Sequence, residues 1–207
     1  LGLDGTAVGQ FMVSRPIVAG WLAGWVAGAP ELGLMIGAIL ELYLLVSFPS
    51  GGARFPEGST AAVVAVAVAA PIQTSGAVAA AVAMGLVWGQ VGGWSVTVQR
   101  HMNGRLVPES GAMGARGGGL IRLHALAVLL DFARAAVVTA LGIVVGRPVL
   151  RVATDRWPVD SEVSMGVLYI GAAVSLGILL HDLGGFRRRR VLFAAGLALG
   201  IVGARFL

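Results

Sequence analysis

The sequence predicts an all-α, polytopic transmembrane helical protein with broken or re-entrant helices in its N-terminal half. Three observations predict it. The 207 residues are 57% hydrophobic and 12% charged, whereas a soluble domain carries about 25% charged residues. Too little polar surface is left to cover a water-soluble globule. Long Val/Leu/Ile/Ala runs alternate with short arginine-bearing links, which Gly-rich disordered chains lack. The first apolar runs are also cut into pieces too short to span a bilayer. The 32 glycines suit helices that approach closely in lipid, where Leu-on-Leu packing has no advantage over acyl chains. The length suits roughly five to seven segments of about 20 residues each.

Charged residues punctuate the chain. Fifteen uncharged residues separate Arg15 from Glu31, nine separate Glu31 from Glu41, and twelve run from Leu42 to Ala53. Fifteen residues reach about 22 Å as a helix, short of a ~30 Å hydrocarbon core. Interrupted helices of this kind are where transporters place substrate sites. Gly58 to Gln99 carries no charge, and Pro71-Ile72-Gln73-Thr74-Ser75-Gly76 divides it into a half-length piece and a full span ending near Trp88 and Trp94. Residues 100–119 read as a polar loop with Arg100, Arg105, Glu109 and Arg116. A helix is expected from about Leu120 to Val145, a polar connection over 147–160, and a further span from about Val163 to Leu180. The chain closes with the cluster Arg187 to Arg190 and an apolar segment, Val191 to Phe206.

These segments form one integral membrane domain over 1–207. It comprises a broken-helix region (1–58), a re-entrant piece plus a spanning helix (59–99), a cytoplasmic loop (100–119) and C-terminal transmembrane helices (120–207). Loops 100–119 and 184–190 lie two spans apart, hence on one side, and both have excess Arg; loop 147–160 is near neutral. The positive-inside rule places the two basic loops in the cytoplasm.

Composition also excludes function classes. The net charge is +5 and every basic residue is Arg. The arginines sit between apolar segments without interleaved aromatics, so they read as membrane-edge anchors rather than a nucleic-acid surface. Zero cysteines exclude disulfides, thiolate metal sites and a cysteine phospho-carrier. His101, His124 and His181 do not share a metal-ligand spacing. Gly117-Gly118-Gly119 lacks the Lys and preceding strand of a phosphate loop. Asp131 and Arg134 read as an i,i+3 helix pair. Arg187 to Arg190 reads as a topology signal and anionic-lipid anchor. No cofactor and no nucleophilic catalytic set is expected. The first residues lack a secretory signal, and the Leu1 start implies a non-Met start codon or a missing N-terminus.

One ordered pattern occupies residues 3–60. It runs Leu3-Asp4, Gln10, Ser14-Arg15-Pro16, then Gly24 and Gly28, then Gly33-Leu34-Met35-Ile36-Gly37-Ala38-Ile39-Leu40-Glu41-Leu42, Gly51-Gly52-Ala53 and Pro56-Glu57. This order resembles the IIC subunit of phosphotransferase-system (PTS) permeases of the mannose/fructose/sorbose family. The similarity continues more loosely to the end of the chain. The resemblance implies a multi-pass protein of the bacterial inner membrane. It implies pairing with a IID membrane subunit, assembly into a higher oligomer, and elevator-like movement of a core domain. Cytoplasmic IIA/IIB proteins would phosphorylate the entering sugar from their own histidines, leaving this chain without a catalytic residue. Family members carry roughly one more helix before the Leu-Asp block.

The residue chemistry fits a sugar independently. Hexoses are bound by amides, carboxylates and Arg, which take paired hydroxyls. Gln10, Arg15, Glu41 and Glu57 supply such groups, and Asp4 adds a further carboxylate. Each has a structural alternative. Glu41 lies between Ile39-Leu40 and Leu42-Tyr43, where a charge costs about 2.5–3.5 kcal/mol, so it either contacts sugar or pairs with Arg15 or Arg54. Gln10 suits a helix–helix hydrogen bond. Arg15 before Pro16 suits a helix start, Glu57 a helix N-terminus, and Asp4 a solvated end. Beside the transport subunit stand a non-transporting scaffold or sensor derived from one, and an unrelated channel or secondary carrier.

Overall fold

The structure is a computed structural model and describes residues 3–4, 11–45, 47, 54–106, 117–184 and 186–203. Seven helices and no strand occur among them: α1 (Pro16–Ala27), α2 (Pro30–Leu44), α3 (Gly58–Ala69), α4 (Ser75–Leu106), α5 (Gly117–Asp155), α6 (Ser161–Asp182) and α7 (Phe186–Gly203). Within the described residues α4, α5 and α6 are long and apolar enough to cross a membrane. The first three helices are not. Their 12, 15 and 12 residues give about 18, 22 and 18 Å.

Helices α1 and α2 form a tight hairpin. Proline opens each at the first helical position, where its missing N–H costs nothing. Gly28 turns the chain in the left-handed region at φ 72°, and Ala29 N–H donates to the Gly24 carbonyl at 2.8 Å. The helices then approach backbone to backbone. A Cβ on Gly20 would sit 2.6 Å from the Gly33 carbonyl oxygen and 2.8 Å from Gly37 Cα. Only glycine permits that approach, which is how helices gain packing energy in lipid.

Helix α3 turns through residues 70–74 and packs antiparallel on the first half of α4. Gly85 and Gly89 of α4 lie against Ala61 of α3, and Gly93 lies under the Phe55–Pro56 backbone. Helix α5 runs antiparallel to α4. Trp88 Nε1–H donates to the Val138 carbonyl at 2.9 Å, and Gly142 leaves room for that indole. Helix α6 starts with Asp160, whose side chain accepts the Val163 N–H. It packs on α2, where Tyr43 lies against Gly171. Helix α7 touches α6 alone among the described helices.

The core lies at the meeting of α1, α2, α3 and α4, where alanines such as Ala19, Ala61 and Ala65 pack with the larger Ile36, Leu40 and Val82. By contrast, α5, α6 and α7 expose large apolar side chains such as Val144, Ile170 and Leu192. Three helices that are apolar on their outward faces are stable in hydrocarbon and not in water.

Several boundaries differ from the sequence expectation; α7, for one, starts at Phe186 and takes in the Arg187 to Arg190 cluster. Helix α4 continues past Gln99 to Leu106, and α5 extends from Gly117 to Asp155 rather than from Leu120 to Val145. The expected connection over 147–160 therefore shrinks to the few residues between α5 and α6. Charges and one proline do not end a helix whose neighbouring turns satisfy its backbone. Arg147 and Arg151 stay exposed, where long side chains reach the interface from a helical backbone. Pro148 is accommodated inside α5.

Candidate functional site

The start of α1, the end of α2 and the start of α3 converge on one place. Gly37 of α2 lies against the Pro16 carbonyl, and Gly58 of α3 lies 2.8 Å (as an added Cβ) from Pro16 Cγ. Three half-length helices thus present their ends to a common centre, beside the middle of α5. Two ion pairs sit there.

The first joins Arg15 to Glu41. Arg15 is the residue preceding α1 and has extended backbone. Glu41 lies in the last turn of α2, where the helix dipole disfavours an anion. Its carboxylate instead faces the start of α1, accepting the Ile17 N–H at 3.4 Å, where the dipole favours negative charge. The side chains remain partly open, 31% for Arg15 and 15% for Glu41. Asp4 supports this corner from the preceding turn. Its carboxylate accepts the Phe11 N–H at 2.6 Å and the Ser14 N–H at 2.8 Å, so both oxygens hold the backbone that leads into Arg15. Those amides, Ser14 foremost, keep the Asp4 carboxyl below its usual pKa against a smaller opposing effect of burial.

The second pair is closed. Arg134 of α5 donates to both Glu57 oxygens, Nη2 to Oε1 at 3.0 Å and Nη1 to Oε2 at 3.1 Å. Its Nε donates to Asp131 at 2.8 Å and its Nη1 to Ser95 Oγ at 2.9 Å. Thr60 Oγ1–H donates to Glu57 Oε2 at 2.9 Å. Glu57 and Arg134 side chains are each 7% exposed. Gly92 of α4 gives the carboxylate its space, since a Cβ there would lie 2.7 Å from Glu57 Oε2.

Of the five residues expected from sequence to bind a ligand, the structure therefore brings Arg15 and Glu41 into contact and seats Asp4 behind them. Glu57 lies in an adjoining pair. Gln10 falls outside the described residues. Arg15, not Arg54, is the Glu41 partner seen among the described residues. The Asp131–Arg134 pair is present at i,i+3, but its reach to Glu57, 77 residues away, was not legible. A signal for it exists. Asp131 and Arg134 are the two carboxylate or guanidinium residues between Arg122 and Arg147, and each charge at that depth demands a compensating partner.

Two cavities flank the network. One, about 450 Å³, is mainly apolar and lies between α3 and α5 beside Ser59 and Thr60. The other, about 300 Å³, is polar and lies between α4 and α5 beside Gln99 and Asp131.

A family described as "PTS system sorbose-specific IIC component" matches residues 1–181. Among solved structures, a chain described as a membrane protein superposes with a TM-score of 0.73 at 18% identity, over 99% of this chain and 87% of its own length. No curated protein matches the chain. The family match covers most of the sequence, and the fold is that of a helical membrane protein with broken N-terminal helices: the chain belongs to the sorbose-specific IIC family and is a membrane-spanning transport subunit of the phosphotransferase system.

Proposed function

We propose that the chain binds a hexose-type sugar at the convergence of α1, α2 and α3 and carries it across the bacterial inner membrane together with a IID subunit. Cytoplasmic IIA/IIB proteins supply the phosphoryl group, and this chain supplies binding and passage.

The observation that carries the reading is the difference between the two ion pairs. The Arg15–Glu41 pair is partly open, so opening it costs less than opening a closed pair. Sugar hydroxyls replace such a bond at small cost. An Arg fork and a carboxylate then each take neighbouring hydroxyls, the pattern planar ionic groups favour. The Glu57–Arg134 pair is closed, and breaking a buried pair costs about 3–5 kcal/mol. Glu57 therefore contributes as a residue held in place at the rim, its position set by Arg134, Thr60 and Gly92. Gln10, six positions after Asp4, adds an amide to the same N-terminal segment.

Helix ends add direction. The half-helices α1 and α3 both begin at this centre, so unpaired N–H groups and the positive dipole ends face it. Broken helices place such ends at ligand depth in transporters. The test is Glu41→Ala in the native membrane complex, read by calorimetry with sorbose, mannose and fructose. Loss of binding is expected; unchanged affinity for a sugar that the parent binds would remove Glu41 from the site.

A further inference from the structure

Helices α3 and α5 leave a groove between them that neither ion pair uses. Its volume is about 450 Å³, and its walls include Leu3, Val63, Phe132, Ala136, Ala140 and Ile143. Phe132 is 58% exposed, and Ala136 and Ala140 are exposed beside it, so the groove opens outward.

Its depth follows from the neighbouring helices. Glu57 lies against Gly92, near the middle of the 32-residue α4, and Arg134 of α5 reaches the same carboxylate. The inner end of the groove is therefore at mid-membrane. From there α3 runs toward the 70–74 turn. Helix α5 runs the same way, toward Trp157, which lies against Gly76 just past that turn. Between Phe132 and Ile143 α5 rises about 16 Å, and half of a ~30 Å hydrocarbon core is ~15 Å. The groove is as long as one leaflet is deep.

Size and polarity decide among a sugar, a helix and an acyl chain. A sugar needs hydrogen bonds that a mainly apolar wall does not supply, and the Thr60 hydroxyl at the inner end is given to Glu57. A helix with its side chains is about 10–12 Å wide, whereas 450 Å³ drawn out over ~16 Å leaves a channel only about 6 Å across. A helix would lie over the channel and leave it empty, and an empty channel forfeits the contacts of its lining. An acyl chain is narrow and flexible enough to fill it. Both long walls are helical, with backbone groups bonded internally, so hydrocarbon meets no unpaired amide there.

The mouth of the groove carries a charge. Arg147 stands one turn beyond Ile143 on the same face of α5, and it is exposed. It lies about 20 Å along α5 from Arg134, which is headgroup depth in a bilayer about 40–45 Å thick in all. A guanidinium fork at that depth takes a phosphate through two parallel hydrogen bonds.

We propose that the α3–α5 groove and Arg147 form a binding site for one anionic phospholipid of the leaflet on the α5–α6 side, with an acyl chain in the groove and the phosphate on Arg147. The native membrane complex is placed in nanodiscs of phosphatidylcholine containing a minor share of phosphatidylglycerol that carries a diazirine at its chain end. After irradiation, labelled residues are located by mass spectrometry. Label is expected around Ser59 and Phe132, several-fold above that at the exposed Ile170 and Leu192 of α6 and α7, because a held lipid is enriched over passing ones. Arg147→Gln lowers groove labelling about fivefold, the weight of one arginine at a charged membrane surface. Ala140→Phe fills the channel and removes the label. Val137→Phe adds the same ring at an exposed position outside the lining and leaves the label in place. Ala136→Phe, one turn deeper, replaces Ala140→Phe if the complex no longer assembles. Equal labelling of the groove and of Ile170 and Leu192 overturns the site. So does label that persists in Ala140→Phe or is unchanged in Arg147→Gln. A groove without lipid label, in which a photoreactive amino acid at position 140 crosslinks to a partner subunit, holds a protein helix and overturns it too.

Discussion

Replacing Glu57 with alanine removes both oxygens that accept from the Arg134 guanidinium, at 3.0 and 3.1 Å, and the acceptor for Thr60. The guanidinium keeps Asp131 and Ser95 but loses its bidentate partner in a place that is 7% exposed. Removing one member of a buried pair costs about 3–5 kcal/mol, and the partners that remain place this variant near the lower figure. Arg134→Met strips the guanidinium from two carboxylates at once and belongs at the upper figure. In the double variant Glu57→Ala/Arg134→Met the losses are less than additive, with a coupling of about 0.5–3 kcal/mol for groups in one network. Arg15→Met is the internal reference. Its pair is the more open of the two, 31% and 15% exposed against 7% and 7%, so its loss costs less than that of Glu57. The assay is reversible unfolding in mixed micelles, followed by the fluorescence of the five tryptophans. If Glu57→Ala costs no more than Arg15→Met, the division into a closed structural pair and an open ligand-facing pair is wrong.

Three further outcomes follow from the geometry. Gly92→Ala places a Cβ 2.7 Å from Glu57 Oε2, so it destabilises by about 1–3 kcal/mol, as overpacking does, and Glu57→Ala in the same chain relieves part of that loss. Gly20→Ala puts a Cβ 2.6 Å from the Gly33 carbonyl oxygen and forces α1 from α2; sugar binding falls along with thermal stability, because Arg15 and Glu41 sit on opposite helices of that hairpin. A cysteine introduced at Ser110, between α4 and α5, reacts with an impermeant reagent from the cytoplasmic side of inverted vesicles and not from outside intact cells, as the arginine asymmetry requires.

The half-length helices were legible because charge and proline spacing measures length directly. Arg15, Glu31 and Glu41 bracket α1 and α2 within a few residues, and Pro71 marks the end of α3. The ends of α4 and α5 were less legible for a physical reason. Arg100, Arg105, Arg147 and Arg151 change polarity without ending a helix, because backbone hydrogen bonds within the helix do not depend on what the side chain carries. Glycine was ambiguous in the same way. At 28 it ends a helix, at 20 and 33 it permits a close approach, and at 117–119, read as loop, it opens α5. The local partner of Arg134 was visible at i,i+3, but its link to Glu57 depends on how α3 and α5 face one another, and spacing along one helix does not encode that. The Arg15–Glu41 contact was one of two pairings left open, and the α1–α2 hairpin selects it by setting the start of one helix beside the end of the other.

Transport by right-side-out vesicles that contain the native complex and enclose the phosphoryl donor chain tests the central claim most directly. Radiolabelled sorbose, mannose or fructose is supplied outside, and the accumulated label is separated into free and phosphorylated sugar. A IIC subunit that presents sugar from the α1–α2–α3 centre gives label recovered as the phosphate ester, dependent on the donor proteins and lost in Glu41→Ala. Donor-independent accumulation of free sugar driven by an ion gradient, unaffected by Glu41→Ala, would contradict it.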